Sequence, residues 1–138
     1  MPARPVRRSE ASLAAESVET LSFRWYDDQT IEVVFAGHVT GAGMQRALPR
    51  LSEMLQLRML RQVLIDASQI TSYTPDVREP GRELFRLLNS AGAQITVAIT
   101  PSPIVRMMGA AVALATGTRI RFVPARAEAI THLERMNG

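Results

Sequence analysis

The chain has no cysteine. Disulfides, thiolate metal sites and cysteine nucleophiles are thereby excluded, and a reducing compartment suits it. Lysine is absent too: all 16 basic residues are arginine. Aromatic side chains make up only 5% of the chain, so aliphatic and methionine side chains must fill any core. Long apolar runs are also missing. The longest, from about Ile104 to Thr116, falls short of the roughly 20 residues that a bilayer requires. The stretch Met1 to Glu10 lacks the apolar segment of a secretion signal. A cytoplasmic location is the expectation.

What is there is 138 residues, 46% hydrophobic, which suits one domain with a real core. The net charge is +3, and Arg4, Arg7 and Arg8 supply most of the excess. The other arginines are scattered, often beside acids. That argues against a nucleic-acid-binding face, which needs a dense basic surface. Residues 1 to 20 are rich in Pro, Arg, Ser and Ala without a sustained apolar period. They are expected to be a flexible basic tail, with a transient helix near Leu13 to Val18. Residues 21 to 138 form the domain.

Within it, Leu21 to Asp28 alternates apolar and polar residues, as a half-buried strand does. A turn at Asp27-Asp28-Gln29 leads to a second strand, Thr30 to Gly37, antiparallel to the first. Thr40 caps a helix to about Leu57, in which Pro49 predicts a kink or a late start of the regular part. Gln62-Val63-Leu64-Ile65-Asp66 reads as a buried parallel strand ending in a carboxylate. A hydroxyl-rich loop follows, with Ser68, Thr71, Ser72, Tyr73 and Thr74. Thr74-Pro75 then has the form of a helix cap and first-turn proline, although Pro80-Gly81 could delay the helix. That helix carries Leu84, Phe85, Leu87 and Leu88, and ends at Asn89 to Gly92. Ile95 to Thr100 is the next strand. Ser102-Pro103 opens a helix of small and apolar residues to Thr116-Gly117, expected to be mostly buried, with Arg106-Met107-Met108 as its contact surface. Arg119 to Val123 is the last strand. Ala125 to Met136 is the last helix, with Ala129, Ile130, Leu133 and Met136 inward. The order β-β-α-β-α-β-α-β-α predicts an α/β fold: a mixed sheet of about five strands with about four helices.

Few residues carry chemistry. Asp66 at a strand end is placed where open α/β sheets bind ligands, and equally where a carboxylate orders the loop after it. His38 and His132 have no acid at ligand spacing in their own elements, so no metal site or catalytic triad is expected. Gly37 to Gly43 lacks the spacing of a phosphate loop and reads as a glycine-rich turn into a helix. A phosphate near Thr74 would meet a helix N-terminus, with Arg78 and Arg82 close by.

The element order, the strand Val63-Leu64-Ile65-Asp66, and the final helix with Ala127-Glu128-Ala129-Ile130-Thr131-His132-Leu133 after a Phe122-containing strand resemble a STAS domain. This is the fold of anti-sigma-factor antagonists and of sulfate-transporter tails. The resemblance covers about residues 21 to 137 and is strongest to small stand-alone bacterial members, which are distantly similar in shape to CRAL-TRIO lipid-binding domains. In the antagonists, a serine of an Asp-Ser-Ser/Thr-Gly motif is phosphorylated by the partner kinase where the switch loop enters its helix. Here that place reads Ser72-Tyr73-Thr74-Pro75-Asp76. The motif is absent, and Thr74 is the nearest hydroxyl, with the charge of Asp76 beside it.

The resemblance implies a non-enzymatic regulatory or scaffold module in signal transduction, without cofactor. Its protein partner, a kinase-like switch protein or a sensor, would bind through Ser72, Tyr73, Thr74, Asp76, Arg78, Glu79, Arg106, Met107 and Met108, with Thr74 as the phosphorylation candidate. The rival expectation is a module holding a lipid or nucleotide near Asp66 and the third helix. Self-association could use the hairpin edge or an exposed helix.

Overall fold

The computed structural model describes residues 20 to 137, and of Asn137 the backbone only. The expected basic tail lies outside the described residues. Strands β1 (Leu21–Trp25) and β2 (Thr30–Val39) form the antiparallel hairpin, with Leu21 opposite Phe35 and Trp25 opposite Ile31. Asp27 tightens its turn by accepting the Gln29 amide at 2.9 Å. Strands β3 (Gln62–Tyr73), β4 (Ile95–Ile99) and β5 (Ile120–Val123) add in parallel, so the spatial order is β1-β2-β3-β4-β5. Helices α1 (Gly41–Leu55), α2 (Arg78–Ser90), α3 (Pro103–Thr116) and α4 (Arg126–Asn137) fall in the expected places.

The three parallel crossovers all step in one direction along the sheet. Right-handed connection then puts α1, α2 and α3 on one face. The main core is there: Ile31, Val33, Val63, Ile65 and Ala98 from the strands meet Met44, Leu48, Leu84, Phe85 and Val112 from the helices. Among the described residues only α4, which returns to no strand, covers the other face. It does so with Ala129 and Leu133 on Leu64, Val97, Ile99 and Val123. Successive strand residues alternate between these faces.

Several local expectations need correction. Strand β3 does not end at Asp66 but runs on to Tyr73. The hydroxyl-rich segment is thus strand, because the ten-residue β2 supplies backbone partners to its end: Gln69, Ile70, Ser72 and Tyr73 pair with Ala36, Gly37, His38 and Val39 across two register shifts. Gly37, at φ 73°, takes the left-handed conformation at this irregularity. Strand β4 stops at Ile99, opposite Asp66, so the ends of β2 and β3 continue as a two-stranded ribbon. Helix α1 runs unbroken from Gly41 through Pro49, so the proline does not begin its regular part. Pro80 and Gly81 delay nothing: α2 starts at Arg78, directly after a 3-10 turn at Pro75–Val77, and a first-turn proline has no amide that the helix needs. Helix α3 is capped as expected, with the Ser102 hydroxyl accepting the Val105 amide, but only Val112 and Ala113 of its side chains are buried. Met136 points outward, at 42% exposure.

Pro49 is exposed in the interior of α1 and cannot donate to the Gln45 carbonyl one turn back. Pro49→Ala is expected to raise stability by about 1–3 kcal/mol, read as a higher urea midpoint at unchanged slope. An unchanged or lower midpoint would mean that α1 needs the proline geometry.

Candidate functional site

Of the expected contact residues, Tyr73 and Met108 face the side covered by α1, α2 and α3. Thr74 leaves β3, and its hydroxyl donates to the Asp76 carboxylate. The same carboxylate oxygen accepts the Gly41 amide at 3.1 Å, at the start of α1. Hydrogen bonds from the Thr74 hydroxyl and then from that amide hold the Asp76 carboxyl below the ordinary carboxylate range. A negative charge is favourable at that helix end. The approach is close: a Cβ on Gly41 would lie 2.7 Å from the Asp76 backbone oxygen. Asp76 therefore clasps the start of α1 to the segment that enters α2.

Ser72 is exposed on the ribbon, its hydroxyl 2.6 Å from His38 Nδ1 across the strand pair. Arg78 and Glu79 open α2 on the surface, and Glu79 accepts from Arg82 at 3.3 Å. On α3, the Arg106 guanidinium lies over the Phe122 ring, 5.7 Å from its centroid. Met107 is 73% exposed. Tyr73 and Met108 turn the other way, and with Val77, Val105, Phe85 and Phe122 they line an apolar cavity of about 110 Å³ between the sheet and helices α2 and α3. The segment after β3 and the first turns of α3, far apart in sequence, thus border one cavity.

Asp66 is not part of this site. It alternates with the cavity-lining Ile65 and Ala67 and faces α4. Its Oδ1 accepts the Ser68 amide at 3.0 Å and the Ser68 hydroxyl at 2.6 Å, ordering the residues that follow. Its Oδ2 lies 3.4 Å from Arg126 Nη1. The expectation of one ligand near both Asp66 and α3 fails because the sheet stands between them. His38 and His132 are likewise apart: His38 contacts Ser72, and His132 lies with Arg121 and Arg135 in a groove between β5 and α4. Among the described residues, no group of His, Asp and Glu has the geometry of a metal site, and no helix is long and apolar enough to cross a membrane.

Sequence reasoning missed the ion cluster on the α4 face. Glu32 is only 1% exposed. Arg126, the first residue of α4, donates Nη1 to Oε2 at 2.7 Å and Nη2 to Oε1 at 3.1 Å, a two-pronged grip. Arg24 of β1 donates Nε to Oε1 at 3.0 Å. Burial disfavours the Glu32 charge, but the hydrogen bonds and charges of Arg126 and Arg24 outweigh it and hold its pKa below the ordinary 4.5. One signal was present: a carboxylate inside the strand run Ile31-Glu32-Val33-Val34-Phe35 requires a cationic partner if buried.

No family model matches the chain, and no curated protein matches its sequence. Solved structures match its shape. One is an uncharacterised DUF3478-family protein with a SpoIIAA-like fold from Shewanella loihica PV-4, at TM-score 0.63 and 14% identity, covering 86% of this chain and 98% of that one. The anti-sigma factor antagonist SpoIIAA in unphosphorylated form matches at TM-score 0.62 and 15% identity, over 83% of this chain and 96% of its own. The Bacillus cell fate determinant SpoIIAA in phosphorylated form matches at 0.61 and 14%, over 82% and 98%. The chain therefore has the SpoIIAA-like fold: it is a STAS-like α/β domain.

The Glu32 cluster makes stability depend on acid. With the folded pKa below 4.5, the folded state binds fewer protons than the unfolded state. The contribution is full above 4.5 and is lost as pH falls through the folded value. Glu32→Gln is expected to show a shallower loss of urea stability over that interval than the parent; equal slopes would remove Glu32 as the cause. At neutral pH Arg126→Ala should cost about 2 kcal/mol, less than a fully buried pair because Arg126 is 41% exposed.

Proposed function

We propose that this protein is a non-enzymatic regulatory or scaffold module that binds a protein partner through the segment Ser72–Glu79 and the first turns of α3, Arg106 to Met108. One observation carries the reading: the two segments converge on one side of the domain, around the cavity lined by Tyr73, Val77, Val105 and Met108. Exposed Arg106 and Met107 lie beside the lining residues Val105 and Met108, and exposed Asp76 and Arg78 flank Val77, while Ser72 contacts His38 on the ribbon and Glu79 borders the groove between α1 and α2. The fold likeness to an anti-sigma factor antagonist supports the same class of role. The Thr74 hydroxyl is engaged with a carboxylate, so a phosphate there would meet like charge and open the Asp76 clasp. Modification at Thr74 would act by loosening the start of α1, whereas recognition itself needs no phosphate.

The test is capture of partners from the source lysate, repeated with Thr74→Glu and Arg106→Glu variants whose circular dichroism shows the domain still folded. A discrete partner retained by the parent and lost with either variant is the expected result. A partner retained equally by both would place recognition elsewhere.

The cavity favours a second reading, a small apolar ligand. Apolar cavities of this order stay dry and admit small apolar molecules. The site suits a nucleotide poorly, since its lining is apolar apart from Thr100 and the Tyr73 hydroxyl, and Asp66 lies across the sheet. Octanoate in excess should raise the melting temperature of the parent. Gly81→Leu, which extends a side chain toward Val112 at the cavity wall, should abolish that rise. No rise in the parent would exclude octanoate-sized ligands.

A further inference from the structure

The outward surface of α3 is the most apolar exposed feature of the described residues. Ile104, Met107 and Leu114 are 66, 73 and 85% exposed, and Pro103, Ala110 and Ala111 are exposed with them. At the helical repeat these six form one stripe, opposite buried Val112 and Ala113 and opposite Gly109, which packs on Phe122. The helix carries no acid, and its single charge, Arg106, is drawn aside over Phe122.

The order of side chains along the stripe is self-complementary. A two-fold axis through the middle of the helix sets a second α3 antiparallel on the first. Met107 of one copy then covers Ala110 and Ala111 of the other, and Leu114 meets Pro103 and Ile104. Large faces small at the centre and apolar meets apolar at both ends, with every contact made twice, as an isologous interface demands. The antiparallel arrangement also opposes the helix dipoles favourably. No ionic group lies within the stripe to be buried unpaired.

We propose that two copies of this chain associate through α3 packed antiparallel on its counterpart. A single helix pair covers less than the roughly 800 Å² per partner of a stable dimer, so the association is weak, reversible and dependent on concentration. Each chain carries +3, so added salt screens the repulsion and strengthens the contact, opposite to an ionic interface. The self-contact shares Met107 with the partner-binding reading, so the two would compete, but it is tested separately, on the purified chain alone.

Sedimentation equilibrium of the full chain from about 1 μM to 1 mM, a range suited to an interface this small, should show the mass rising from one chain toward two. Leu114→Glu and Met107→Glu should each hold it at one, and Leu57→Glu, at a site 74% exposed outside α3, should leave the rise unchanged. Because the chain has no cysteine, mixing a Met107→Cys chain with an Ala111→Cys chain reads the register directly. A mixed disulfide in excess over either self-disulfide is expected. A chain that stays single throughout, or a pair that survives both glutamate variants, would overturn the proposal. So would α3 binding an added heterologous helix while never pairing with itself.

Discussion

The structure depends on the handedness of three consecutive crossovers. Strands β2 to β5 are laid down in order across the sheet, so each right-handed connection turns to the same side. The sheet must then be covered unequally. One face takes three helices and most of the core. The other, among the described residues, has one helix and a smaller apolar cluster. Both the segregation of the cavity from Asp66 and the presence of a buried ion cluster follow from that inequality.

On the sparsely covered face, the apolar side chains of α4 pack on β3, β4 and β5. The hairpin side is bridged instead by charge. Arg126 reaches from the first turn of α4 to Glu32 on β2, and Arg24 reaches the same carboxylate from β1. A cation in a first helical turn opposes the helix dipole, so the position is explained by the carboxylate beneath it. Asp66 adds a second acceptor on β3. Four elements meet at two carboxylates, giving the last helix a fixed orientation that a purely apolar contact, being non-directional, would define less sharply.

The order of elements was legible because each leaves a local mark. Alternation marks Leu21 to Trp25, a continuous apolar run marks Val63 to Ile65, and the Ser102-Pro103 cap with Gly117 brackets α3. What was not legible depends on neighbours. Ser68 to Tyr73 resembles a loop in composition and becomes strand only because β2 is long enough to pair with it. The composition of α3 suggests burial, yet its place over the sheet edge leaves most of it in water. The convergence of Tyr73 and Met108 on one cavity, and of Glu32 and Arg126 in one ion pair, joins residues that no local spacing relates.

The clasp at Gly41 has a consequence for how this sequence can drift. A side chain at position 41 would collide with the backbone oxygen of Asp76, not only with its carboxylate. Replacing residue 76 therefore does not release position 41. Among descendants of this chain that keep the same close approach, the Thr74–Asp76 pair is free to be exchanged for other chemistry while glycine persists at 41. Loss of that glycine would mark lineages in which the entry to α1 has moved.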